Sequence, residues 1–122
     1  MNSTLEKFGY ATGLLHESEH WVILLRPQQP TLGSLILGAK SQAHAYSRLP
    51  AEAFTEMQAQ VERIESALQR AFAYEKINYL MLMMVDPHVH YHVIPRYSSI
   101  RTFADLECQD AVSYTHLTLP TK

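Results

Sequence analysis

The apolar residues fall into blocks of different period, and each period predicts a different element. Trp21-Val22-Ile23-Leu24-Leu25 is a continuous β-branched and aromatic run that stops at Arg26-Pro27, the pattern of a buried strand. Gln28 to Gly33 carries Pro30 and Gly33 and predicts a turn, after which Leu35-Ile36-Leu37 returns as the second strand of a hairpin or meander. Upstream, Ser3-Thr4-Leu5-Glu6 has the spacing of a capping box and predicts a short helix limited by Gly9 and Gly13. Leu14 and Leu15 then lead through the polar, turn-like Glu17-Ser18-Glu19 into the first strand.

From Pro50 the period changes. Phe54, Met57, Val61, Ile64, Leu68 and Ala71 or Phe72 recur at steps of three and four, with charged residues between them. That spacing predicts a long amphipathic helix, opened by Pro50 in the first turn, where a missing N–H costs nothing. A cofactor-binding or coiled-coil use of the stripe is the alternative to packing on the protein's own sheet. Ser41 to Leu49 has no clear period and holds at most a helical turn. Ile77 to Val85 is nearly all apolar and of the length of a central strand; Asp86-Pro87 is a turn signal. Whatever follows that turn is then the run's tightly joined antiparallel neighbour. The order predicts one α+β domain, a meandering antiparallel sheet covered by a helix.

Composition narrows the class. The 122 residues suffice for a single core, and the formal charge of −2 suggests neither long nucleic acids nor an anionic membrane as partner. The one cysteine, Cys108, excludes an internal disulfide framework and suits a reducing compartment. No apolar run approaches a membrane span and the N-terminus lacks a signal-peptide pattern, so a cytoplasmic location is expected.

The segment after the turn is chemically unusual. His88, His90 and His92 alternate with Val89, Tyr91 and Val93. In an extended strand the three imidazoles share one open face, while the apolar residues point toward a core. Such an array adds little to folding, because each ring needs polar partners once covered. Three readings are open. The histidines are satisfied or solvent-facing; or two of them chelate a metal with a third ligand from elsewhere; or one is a nucleophile. Companions for a metal are scarce, since HExxH and paired-cysteine motifs are missing, and the scattered His16, His20 and His44 read as surface or locally bonded residues. A neutral imidazole, with an ordinary pKa of about 6.5, is a competent nucleophile toward phosphorus. Neighbouring imidazoles can fix its tautomer and donate hydrogen bonds to phosphate oxygens, which is most of what phosphoryl-type transfer requires.

His88-Val89-His90-Tyr91-His92-Val93-Ile94, followed by Pro95-Arg96, resembles the motif of the histidine-triad (HIT) family, nucleotide hydrolases and transferases acting at an α-phosphate that bears a nucleoside. The resemblance extends over Leu14 to Tyr97. It implies a HIT-like antiparallel meandering sheet of about five strands, covered by one long amphipathic helix plus short helices. Position by position, it makes His90 the nucleophile that becomes nucleotidylated, His92 the residue bonded to the phosphoryl or leaving group, and His88 a support that orients the nucleophile. It implies no required cofactor and no metal, although Mg²⁺ can arrive with a polyphosphate substrate. The expected partner is a nucleotide or nucleotide conjugate, and related branches make a homodimer possible.

The chain departs from the family pattern at several points. Ser34 follows Gly33 where many members have a fourth histidine. Arg26 or Gln28-Gln29 stands where many hold a ribose with Asn or Asp, and Met83 to Pro87 replaces a glycine- and glutamine-containing loop. Asp86 places negative charge near an anion site, unfavourable unless it is turned away or paired. Ser34, Arg96 and Arg26 are the substrate-binding candidates; beyond the strand, Arg96 and Arg101 are placed to clamp outer phosphates through bidentate bonds, with a solvated surface arginine as the alternative. Arg101 reads more simply as a surface residue; Tyr97 either stacks on a base or closes the core edge, and Trp21 belongs to the core. From about Val112 the chain resembles translated sequencing-adapter read-through. A HIT-like domain over residues 1–109 is therefore expected, with a non-native or disordered tail over 110–122 in which Tyr114, Leu117 and Leu119 do not pack. The function expected is a hydrolase or nucleotidyl transferase acting on phosphoanhydride or phosphoramidate bonds. The alternatives are a catalytically inactive nucleotide-binding protein of the same fold and a zinc-binding protein.

Overall fold

The computed structural model describes residues 1–110 of the 122-residue chain. The tail expected over 110–122, including Tyr114, His116, Leu117 and Leu119, lies outside the described residues apart from Asp110. The elements are α1 (Ser3–Lys7), α2 (Tyr10–Gly13), β1 (Leu14–Glu17), β2 (Trp21–Leu25), β3 (Leu35–Ala39), a 3₁₀ turn (Tyr46–Arg48), α3 (Ala51–Phe72), β4 (Lys76–Leu80), β5 (His90–Arg96), β6 (Arg101–Phe103) and β7 (Leu106–Cys108). The first five strands form one antiparallel sheet in the order β1-β2-β3-β5-β4, and β6 and β7 pair separately. No described helix is long and apolar enough to cross a membrane.

The period-2 alternation of the inner strands sorts residues onto two faces. Trp21, Ile23, Leu35, Leu37, Ala39, Val89 and Val93 bury one face against Ala53, Ile64 and Leu68 of α3. The Trp21 indole N–H completes this contact by donating to the Ala53 carbonyl at 2.8 Å. On the other face the register aligns Val22 with Gly38 and Gly38 with His90; a second row runs Leu24, Ile36, His92. Here Leu5 of α1 joins Val22, Leu24 and Ile36 in a second apolar cluster, with Phe8 and Tyr10 against it. Helix α1 is therefore laid across the histidine side of the sheet.

Asn2, rather than Ser3, caps α1. Its side-chain oxygen accepts from Leu5 N at 3.0 Å, and its amide donates to the carbonyls of Ala39 and Ser41. One side chain thus starts the helix and pins it to the end of β3. Glycine at position 38 makes the contact possible: a Cβ there would run into Leu5 Cδ2.

Four sequence expectations need correction. Leu14 to Glu17 is a strand, not a lead-in to a turn, because it pairs with β2 at the sheet edge. Phe54 is not part of the buried helix stripe; Ala53 takes the buried position, and Phe54 packs on Tyr46 instead. Pro50 precedes α3 as its N-cap instead of occupying the first turn. The run Ile77 to Val85 is not a central strand. It leaves the sheet edge after Leu80, turns at Met83 (φ 53°), and exposes Leu82, Met84 and Val85 to solvent. Residues 81–89 thus form a loop where a tight turn was expected.

The Gly38–Leu5 contact yields a stability prediction. Gly38→Ala is expected to cost about 1–3 kcal/mol in urea denaturation by overpacking. Leu5→Ala is expected to cost about 2–5 kcal/mol through its cavity. In the Leu5→Ala background the Gly38→Ala cost should largely vanish, because the clash has been removed. Additive costs would show that Leu5 is not the group that requires glycine at position 38.

Candidate active site

Two of the three expected histidines lie in β5 on one face. The rings of His90 and His92 have centroids 5.1 Å apart and stand nearly edge to face. His88 precedes the strand, and its carbonyl accepts from His90 Nδ1 at 2.7 Å. This bond is short because two residues of extended chain place the ring beside that carbonyl. A carbonyl only accepts, so the proton sits on Nδ1 and the lone pair on Nε2. No hydrogen bond from a described residue engages Nε2.

The His88 ring turns toward the N-terminal helix and the loop after β3. Its Nδ1 lies 2.9 Å from Thr4 Oγ1, which also accepts the His88 backbone N–H. Its Nε2 lies 3.3 Å from His44 Nε2, so one ring donates and the other accepts. Burial, then the neighbouring His44 and His90, lowers the His88 pKa and keeps the ring neutral.

The expectation of an open histidine face needs correction. His90 is 2% exposed and His88 6%, because α1 covers them. Phe8 lies 5.5 Å from the His90 ring and meets the His92 ring edge-on at 5.6 Å. A crevice of about 480 Å³ enters beside Phe8 and reaches the triad at His92; Arg26, Lys7 and Asp86 also line it. Asp86, the doubtful negative charge, is paired with Lys7 at 2.8 Å.

His92 is the most perturbed of the three. Its Nδ1 is buried without a hydrogen-bond partner. Burial first, then His90 and Arg26, pushes its pKa down to about 4 against an opposing pull from Asp86. At neutral pH this ring is a neutral hydrogen-bonding group and not a stored proton. Arg26, at the end of β2, is half-buried in the same crevice, and burial lowers the proton affinity of its guanidinium.

The other substrate-binding candidates lie elsewhere. Ser34 is fully buried; its hydroxyl donates to the Thr31 carbonyl at 2.8 Å and accepts from Thr31 N. It closes the β2–β3 turn and does not line the crevice. Arg96 donates to Asp110 at 2.8 Å and to Asn78 at 3.0 Å, and it lines a separate hollow with Tyr97. Arg101 is no surface ornament: it caps the C-terminus of α3 by donating to the Phe72 and Ala73 carbonyls. Tyr97 closes the core edge, its hydroxyl donating to Leu32 O. Thr4, Lys7, Phe8 and His44 are site residues that sequence reasoning misses. His44 sits in a segment without period, and the other three belong to α1 and its C-cap, whose partner face is set only by the fold.

Metal ligands converge at a different place. Among the described residues, Glu19, His20 and Glu56 bring ligand atoms within 4.8 Å of one another. There Glu56 already accepts from the Ser18 hydroxyl and from His20 N.

The depressed histidine pKa values give a pH prediction. Above pH about 6.5 the rings are neutral whether the chain is folded or unfolded. As pH falls toward 4.5, the unfolded chain protonates first, so stability drops through that interval. The carboxylates lowered by their partners, Glu17, Glu56 and Glu75, start from 4.5 and contribute below it. Urea unfolding between pH 7 and 4.5 should therefore show a decline that His92→Gln makes shallower. An unchanged slope would refute a neutral, buried His92.

Comparison with known proteins agrees with this geometry. Residues 12–99 match the HIT domain family model. No curated protein matches the chain. Among solved structures, a HIT family protein from Bacillus anthracis is 25% identical with a TM-score of 0.64, the match covering 71% of this chain and 65% of that one. The chain thus spans less than two-thirds of that relative's length. A HIT family member from Bacillus subtilis is 23% identical with a TM-score of 0.66, covering 84% and 82%. A diadenosine triphosphate hydrolase from Plasmodium falciparum, in complex with cyclomarin A, shares the fold at 12% identity and a TM-score of 0.65, covering 81% and 65%. A family match over most of the chain, on a sheet that presents His90 and His92 side by side, shows that the chain belongs to the HIT family of nucleotide hydrolases and transferases.

Proposed function

We propose that this protein is a nucleotide hydrolase or nucleotidyl transferase acting at the α-phosphate of a nucleotide conjugate through a covalent intermediate on His90. The observation that carries the reading is the bond from His90 Nδ1 to the His88 carbonyl at 2.7 Å, which leaves the Nε2 lone pair for attack. In the first step the Nε2–P bond forms, the bond from phosphorus to the leaving group breaks, and its electron pair departs with that group. In the second step water or another acceptor bonds to phosphorus and the Nε2–P pair returns to the ring. The proton lost by the acceptor passes to solvent.

The remaining residues have supporting tasks. His92, neutral at working pH, donates an N–H to a phosphoryl or leaving-group oxygen. His88 orients the nucleophile through its carbonyl and is itself held by Thr4 and His44. Arg26 is the substrate-binding arginine of the crevice. Mg²⁺ enters only as the counter-ion of a polyphosphate. The activity belongs to the single domain over residues 1–109. The closeness of Phe8 to His90 favours one second reading, a protein that binds nucleotide without turnover.

A single-turnover experiment with α-labelled adenine nucleotides separates the two. Wild-type protein should acquire an acid-labile, base-stable label at His90. In His90→Asn, kcat/KM should fall by about 10⁴-fold or more while nucleotide Kd moves by less than about threefold. Saturable binding with no label and no turnover would establish the second reading; full turnover by His90→Asn would overturn the first.

A further inference from the structure

Thr4 reaches His88 from 84 residues away in sequence and touches it twice. Its buried hydroxyl oxygen accepts the His88 backbone N–H at 3.3 Å and lies 2.9 Å from Nδ1 of the same residue's ring. A backbone N–H only donates, so one lone pair of the oxygen is taken; one lone pair and one proton remain. Were Nδ1 the donor, the oxygen would accept both bonds, and the hydroxyl proton would find no acceptor among the described residues. As the second residue of α1, Thr4 has no helix carbonyl one turn behind it to take that proton. Buried polar hydrogens are rarely left unpaired, so the hydroxyl donates to Nδ1. A ring that accepts at Nδ1 carries its proton on Nε2, which here donates to Nε2 of the exposed His44 at 3.3 Å. His88 and His90 are therefore held in opposite tautomers, Nε2–H in the first and Nδ1–H in the second.

We propose that Thr4 is a positioning residue for the nucleophile: its hydroxyl locks the His88 tautomer and main chain together, and so fixes the carbonyl that orients His90. This rests on the His90 reading above. One oxygen bridges the ring and the backbone N–H of His88, so neither can turn without breaking a hydrogen bond in a buried place. The carbonyl of that same residue takes the His90 Nδ1 proton at 2.7 Å. With His88 loosened, part of the His90 population moves its proton to Nε2, and the lone pair that would meet phosphorus is lost. Thr4 does not line the crevice, whose wall on this side is Lys7 and Phe8. Its loss therefore acts on the rate of attack and not on nucleotide affinity. Thr4 is in turn held in place by its neighbours, Asn2 bonded to the end of β3 and Leu5 buried over Gly38. All three precede the region matched by the family model, so the device belongs to this chain's N-terminal helix.

The first arm of the test needs neither turnover nor a variant. Imidazole nitrogen resonances of the wild-type protein should show His88 protonated at Nε2 and bare at Nδ1, and His90 the reverse. A His88 ring protonated at Nδ1 would overturn the proposal. In the second arm, Thr4→Val keeps the shape of the side chain and removes the hydroxyl, while Thr4→Ser keeps the hydroxyl. Thr4→Val should move part of His90 to the Nε2–H tautomer. It should also slow single-turnover labelling of His90 at saturating adenine nucleotide by about 10- to 100-fold, the scale of a misplaced reacting group. Nucleotide Kd should stay within about threefold of wild type, and Thr4→Ser should restore the labelling rate to the same margin. Thr4→Val leaves buried groups of His88 unpaired and lowers Tm, so rates are compared well below it. Were Thr4→Val not to fold, the wild-type tautomers still decide.

A Thr4→Val protein with the wild-type His90 tautomer and labelling rate would overturn the proposal while leaving His90 catalysis intact. Equal losses in Thr4→Val and Thr4→Ser would trace the effect to packing of the methyl group, against the proposal. A His90 tautomer that shifts in Thr4→Val, when wild-type His90 takes no label, would support the positioning role and remove the covalent reading.

Discussion

The bond between His90 Nδ1 and the His88 carbonyl depends on β5 being held rigidly, and most of the fold serves that end. β5 lies between β3 and β4, with backbone pairs on both sides, and the Ala39 N–H reaches across to the Val89 carbonyl. Because both edges are paired, the strand cannot slip by one residue, a slip that would exchange the histidine face for the Val89-Tyr91-Val93 face. The apolar core under α3 enforces the same register from below. Tautomer, orientation and register are thus set together by the sheet.

The histidine face of this paired strand is also covered from above. Helix α1 does this, and residue 38 is glycine because Leu5 occupies the space a side chain would need. Asn2 anchors the helix to the end of β3, Thr4 holds the His88 ring, and Phe8 stands against His90 and His92. The residues around the His90 imidazole therefore come from opposite ends of the described chain. Desolvation by this cover is the leading cause of the low His92 pKa, so the same packing that stabilises the fold sets the protonation state of the site.

Strands and helices whose burial follows their own period are legible from residues alone. Trp21–Leu25 and α3 are of that kind, and so is the alternation of His88, His90 and His92. The reading fails where pairing, and not hydrophobicity, decides. Leu14–Glu17 is weakly apolar and becomes a strand because β2 offers it an edge, whereas Leu82, Met84 and Val85 are strongly apolar and lie outside the sheet. Among site residues, those on β5 are visible by spacing, and Arg26 by its place at the end of β2. His44, Thr4 and Phe8 have no pattern that links them to the triad. They reach it through contacts between segments 44 and 84 residues apart in sequence, which only the folded chain reveals.

The family match begins at residue 12, and α1 lies before it. The sheet and the alternating histidines fall within the matched region, while Thr4, Lys7 and Phe8 are supplied from outside it. The alternating histidines are thus separable from the residues that shape the crevice beside them. Lys7 neutralises Asp86 and thereby leaves Arg26 as the crevice's unanswered charge. Without Lys7, Asp86 would bring an unpaired negative charge to the crevice that Arg26 and His92 line. An exposed lysine that contributes little as a surface ion pair then matters for a different reason: it sets the balance of charge in the crevice that reaches His92.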